Sequence, residues 1–219
     1  MSRIIVVTGC ESRNDSDEDD QQVGLRVRSA LPETMMGGPV EIVRIANQLM
    51  ARGSNSEAVR FSVASPPVQV ASYALRKGAR HAAIAHVAAQ FTSSTEVVIA
   101  HSLGSVAAYE ALHLATQPIP HFITLGSPLG LPAVSYGHLD LPRSTKRPRW
   151  PLVVQRWTNL RSRRDPFAIR GLQTLFEAGS NIEEHTVNSF GRNPHRLTGY
   201  LESTEFITAL RSVRNSMPS

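Results

Sequence analysis

Residues 97–112 read VVIAHSLGSVAAYEAL. Glu96 to Ala100 opens this stretch as a continuous apolar strand, and Leu103 to Thr116 follows as a helix that starts on small residues and stops before Pro118. Between them stands His101-Ser102-Leu103-Gly104. A serine at so sharp a strand-to-helix turn takes strained backbone angles, so the residues two positions either side must be small. Ala100 and Gly104 meet that demand. Such a turn lifts the Ser102 hydroxyl above the carboxyl edge of a sheet, where ligands gather. It also sets the Leu103 N–H at a helix N-terminus, whose partial positive charge favours an oxyanion. The alternative is a buried serine with only a capping role.

Outward from this turn the chain alternates strands and helices. Arg3 to Thr8 is a β-branched run ended by Gly9, Phe122 to Leu125 a third strand, and Leu152 to Leu160 a fourth. Val59 to Ala64 and Thr186 to Ser189 add two weaker strands. Helical spacing is expected from Val40 to Met50 with Gly53 as stop, in the Ala-rich stretch Val68 to Phe91, and from Tyr200 to Val213. The polar stretch Glu11 to Gln22 is expected to be a loop, and Leu129 to Pro151 an irregular excursion. Continuous apolar strands alternating with helices imply an α/β fold, a mostly parallel sheet covered on both faces. No internal repeat or long linker divides residues 1–219, so one domain is expected, with rim or cap segments at 11–38 and 129–150.

A chain of 219 residues with 41% hydrophobic and 19% charged content can build a core without staples. Its one cysteine, Cys10, excludes an intrachain disulfide framework and any multi-cysteine zinc or iron–sulfur site. No apolar run approaches the roughly 18 residues of a membrane span, and the run from Ile4 is too short for a signal-peptide core. A cytoplasmic location is the expectation. The net charge is +5 and the isoelectric point about 10.0. That bias rests on arginine, since Lys77 and Lys146 are the only lysines. Distribution is more informative than the total. Residues 11–20 hold six acids, whereas residues 143–170 hold nine Lys or Arg and one acid.

The small-His-Ser-x-Gly turn between strand and helix resembles the nucleophile elbow of the α/β-hydrolase family, with Ala100 in place of the usual first glycine. The resemblance runs from Ile4 to the C-terminal helix and implies a minimal version of that fold with about six strands, beginning at the third strand of the full fold. It also implies the order nucleophile, acid, base. After Ser102 the aspartates are Asp140 and Asp165. Asp165 follows a strand as Arg-Asp-Pro and is favoured; Asp140 sits in the Pro-rich excursion, and Glu177 is a weaker substitute. After Asp165 the histidines are His185, in a strand-like alternation, and His195, on a loop after Asn193-Pro194. The phrase NPHRLTGYL is similar to the catalytic-histidine loop of lipase-like members, so His195 is the expected base. The oxyanion donors implied are the N–H groups of Leu103 and of Cys10, after Gly9. Thr8 departs from the histidine that lipases often carry there.

Other features have plainer readings. His101 points away from the elbow and is expected to pack, Ser127 to serve a turn, and Cys10 to be no nucleophile. Asp15, Asp17 and Asp19 mimic a calcium loop, but Asp20 and Arg26 occupy the positions that need Gly and Glu. The basic run Arg143, Lys146, Arg147 and Arg149, near Trp150 and Trp157, carries no nucleic-acid motif and reads as a solvated loop. An acidic carrier protein or an anionic substrate is its alternative partner. The acidic and basic stretches are expected to face each other across one cleft, pairing loosely or steering a charged substrate. The resemblance implies a cofactor-free serine hydrolase acting on a small-molecule ester or thioester, with no metal. A thioesterase or acyltransferase of a biosynthetic pathway, or a binding module with little catalysis, are the alternatives.

Overall fold

The strands form first from β-branched, apolar segments that tolerate burial on both faces. The computed structural model describes residues 2–9, 20–45, 77–131, 134, 147–176, 182–188 and 193–213. Within these, β1 (Arg3–Thr8), β2 (Val40–Arg44), β3 (Thr95–His101), β4 (Ile119–Leu125), β5 (Val154–Arg161) and β6 (Ile182–Thr186) make one sheet. Its order is β2-β1-β3-β4-β5-β6, and every neighbouring pair is parallel. The expected α/β class with six parallel strands and helices on both faces is what the structure has.

Parallel strands need long crossovers, and helices supply them. Helix α1 (Asp20–Ala30), α2 (Lys77–Ala88), α3 (Leu103–Leu112), α4 (Leu197–Leu201) and α5 (Thr204–Arg211) divide between the two faces. On one face α2 and α3 cover Ile5, Val7, Val98, Phe122 and Trp157. On the other α1, α4 and α5 cover Ile4, Val6, Val97, Ile99, Ile123 and Leu160. Alternate residues of β1 thus enter opposite cores, as the period of two requires. Both tryptophans of the basic region turn inward: Trp157 is buried, and Trp150 packs against the same core.

Several sequence expectations need correction. Val40–Arg44 is an edge strand rather than the start of a helix. Val40, Ile42 and Val43 are β-branched, and pairing of Ile4 with Val40 through Thr8 with Arg44 satisfies their backbone. Asp20–Gln22, expected in a loop, opens α1; Val23, Val27 and Ala30 are buried at helical spacing. Residues 20–30, within the segment expected as rim, thus form a helix packed on the sheet. The last strand lies at 182–186, ahead of the expected 186–189. The expected single C-terminal helix is two, because Ser203 caps α5 by accepting from the Phe206 N–H at 3.1 Å. Expectations for Cys10, the acidic run 11–19, the strand 59–64, Asp140 and Glu177 lie outside the described residues.

Candidate active site

The strand order fixes where a site can sit. The chain passes from β1 outward to β2, then returns to the far side of β1 as β3. A crevice opens at such a reversal, beyond the carboxyl ends of the two strands. Gly9 follows β1 there and Ser102 follows β3.

Ser102 holds φ 52° and ψ −135°, and it is the only non-glycine residue with positive φ among the described residues. A conformation of this kind costs about 1–3 kcal/mol and persists only where its surroundings impose it. The surroundings are visible. The Ser102 N–H donates to the Leu125 carbonyl at 3.1 Å, and the Ser105 hydroxyl donates to the Ser102 carbonyl at 2.6 Å. A Cβ on Gly104 would stand 2.6 Å from the Val7 carbonyl oxygen, so α3 begins directly against the backbone of β1. Gly9 is also tightly packed, since a Cβ there would stand 3.1 Å from the Leu103 nitrogen.

Ser102, His195 and Asp165 are brought together. Ser102 Oγ lies 2.8 Å from His195 Nε2, and His195 Nδ1 lies 2.8 Å from Asp165 Oδ2. With Nδ1–H donating to the carboxylate, Nε2 is left as the acceptor for the serine hydroxyl. Asp165 is fully buried in a tight turn after β5. Its Oδ1 accepts the Phe167 N–H at 2.9 Å, and its Oδ2 also accepts the Tyr200 hydroxyl at 2.6 Å. Burial, then the charge of Asp165 and the hydrogen bond to it, push the Tyr200 phenol well above its ordinary range. Tyr200 is thus a permanent donor.

The loop that carries His195 is fixed from several sides. The His195 N–H donates to Asn193 Oδ1 at 3.1 Å, and the Phe167 ring lies 4.6 Å from the imidazole. His101, expected only to pack, donates from Nε2 to the His195 carbonyl oxygen at 2.8 Å. Burial, and then the neighbouring His195, lower the pKa of His101 to about 3. It is therefore neutral at ordinary pH. Tyr200 and the His101 anchor had no signal in the sequence beyond nearness to His195 and Ser102, because both act through contacts made only on folding.

The remaining candidates fall elsewhere. His185 is exposed on the edge strand β6. Ser127 serves a turn, accepting from the Leu129 N–H at 3.3 Å and bonding to Ser105 Oγ at 2.6 Å. The Leu103 N–H stands at the first position of α3. Of the two charge runs, Arg163, Arg164 and Arg170 are exposed on the loop around Asp165. A polar cavity of about 520 Å³ lined by Ser2, Gly38, Ser94 and Glu96 lies at the opposite, amino ends of the strands. Among the described residues no three His, Cys, Asp or Glu cluster to hold a metal, and no helix is long and apolar enough to cross a membrane.

No protein-family model and no curated protein matches the chain. Among solved structures it is similar to a novel cutinase-like protein from Cryptococcus sp., at 14% identity and a TM-score of 0.38, covering 97% of this chain and 92% of that one.

Proposed function

We propose that this protein is a serine hydrolase that cleaves a carboxylic ester or thioester through an acyl-enzyme on Ser102. The observation that carries this reading is the hydrogen-bonded chain from Ser102 Oγ through His195 to the buried Asp165, mounted on a strained elbow. His195 Nε2 takes the hydroxyl proton as Ser102 Oγ bonds to the acyl carbon. Asp165 stabilises the imidazolium that forms, held for the purpose by Tyr200 and the Phe167 N–H. The oxyanion draws on the Leu103 N–H at the α3 terminus, with the Cys10 N–H as the second donor. Collapse of the tetrahedral intermediate expels the alcohol or thiol, which receives the proton from His195. Water then attacks the acyl-enzyme with the same base, returning the serine and releasing the acid.

Ser102→Ala is expected to lower hydrolysis of a short-chain nitrophenyl ester by a factor on the order of 10³ or more while leaving the fold intact. A fluorophosphonate probe should label wild-type protein on Ser102 and fail on His195→Ala. Folded wild type that takes no label and turns over no ester would overturn the reading.

A further inference from the structure

Two buried polar atoms beside the site have no hydrogen-bond partner, Thr8 Oγ1 and His101 Nδ1. Both residues are almost wholly buried. They are also register partners on adjacent parallel strands, β1 and β3, so their side chains project to the same face. Backbones of neighbouring strands lie about 4.8 Å apart, yet no hydrogen bond joins the two atoms. Their chemistry is complementary. The other nitrogen of His101 donates to the His195 carbonyl, so in the neutral ring Nδ1 carries only a lone pair. The threonine hydroxyl is a donor whose proton rotates freely. An unsatisfied buried group of either kind costs about 1–3 kcal/mol, so His101 is held in this place against a cost by its Nε2–H bond.

We infer that His101 is a positioning residue for His195. Its Nε2–H pins the backbone carbonyl of the loop that carries His195, and that carbonyl, which can only accept, holds His101 in the tautomer with its proton on Nε2. The ring-to-ring separation of 5.0 Å shows how little room the loop has to shift while this anchor holds. Burial keeps the His101 ring neutral. The geometry of this anchor stands by itself; its kinetic consequence rests on the hydrolase reading above.

The nitrogen NMR spectrum of the imidazoles in the labelled full chain reports the anchor without any assay. His101 is expected to be neutral with its proton on Nε2, and Thr8→Val should leave that tautomer unchanged. For nitrophenyl acetate, His101→Phe should lower kcat about 10- to 100-fold with KM changed less than about twofold, the signature of a displaced base rather than lost binding. His101→Gln, whose amide nitrogen reaches the place of Nε2–H, should recover most of that loss, and Thr8→Ser should match wild type. Wild-type kcat in His101→Phe, equal impairment in His101→Gln, or a proton on Nδ1 in wild type would each overturn the inference. Should His101→Phe fail to fold, the wild-type spectrum and the kinetics of His101→Gln decide. If wild-type protein hydrolyses no ester and takes no fluorophosphonate, the hydrolase reading fails, while the spectrum still tests the anchor.

Discussion

Asp165 shows how one buried carboxylate is made tolerable and useful at once. A charge taken out of water is expensive unless hydrogen bonds replace its hydration. Here an imidazole N–H, a phenol and a backbone N–H do so. Tyr200→Phe removes one of these and leaves the ring's packing in place. Stability is expected to fall by about 1–3 kcal/mol, read by urea unfolding. Activity should fall too, because the carboxylate loses a donor that fixes its orientation toward His195. The wild type should also lose stability above about pH 10, where an unfolded tyrosine releases its proton and the folded one keeps it. The phenylalanine variant should lack that alkaline slope. At this scale the sequence was legible in part. Ser102 stood out because its elbow is a local pattern. Asp165 and His195 were picked by chain order and loop context, whereas Tyr200 belongs to a helix and gave no sign of facing a carboxylate.

Helix α3 carries the elbow, and its tilt decides where Ser102 points. Its position is set by Gly104 against β1 at one end and by an ion pair with α2 near the other. Arg80 Nε donates to Glu110 Oε2 at 3.1 Å, a second guanidinium nitrogen meets Oε1, and both side chains are almost fully buried. Breaking such a pair strands a charge and costs about 3–5 kcal/mol. Glu110→Gln and Arg80→Leu singly should each show that loss in denaturant unfolding, whereas the double variant Arg80→Leu with Glu110→Leu should recover much of it. Near-equal stability of single and double variants would contradict a coupled pair. Element type was largely readable where the apolar run was continuous, as in β1, β3 and β4. It failed at Val40–Arg44, where half-buried edge positions mimic helical spacing and only pairing with β1 settles the strand. It failed again at α1, whose buried stripe of Val23, Val27 and Ala30 is preceded by an acidic run that masks the helix start.

For the molecule as a whole, acid should be the more damaging extreme. His101 and His121 are both buried with pKa values lowered to about 3, chiefly by desolvation. His121 sits on β4 with Nε2 2.8 Å from Thr158 Oγ1 of β5, and Arg156 adds to the lowering. An unfolded histidine binds its proton near pH 6.5, so between that value and about 3 the unfolded state carries more protons than the native one. Stability therefore rises with pH across this window and is lost as pH falls, by an amount on the order of a few kcal/mol for each ring. Unfolding free energy measured from neutral to acidic pH should show that slope, and His121→Phe should reduce it if the phenylalanine variant folds. A flat profile would place both rings in contact with solvent. The sequence by itself determined what depends on neighbours along the chain: the alternation of apolar strands with helices, the elbow around Ser102, and the order in which serine, acid and base occur. Only the tertiary structure decided what depends on partners distant in sequence. It turned His101 from a packing residue into a hydrogen-bond donor, supplied Tyr200 to Asp165, and set the strand reversal between β1 and β3 beside which Ser102 stands. The physical reason is that periodicity and turn chemistry are local, whereas the satisfaction of a buried polar atom requires a partner that the fold alone brings within 3 Å.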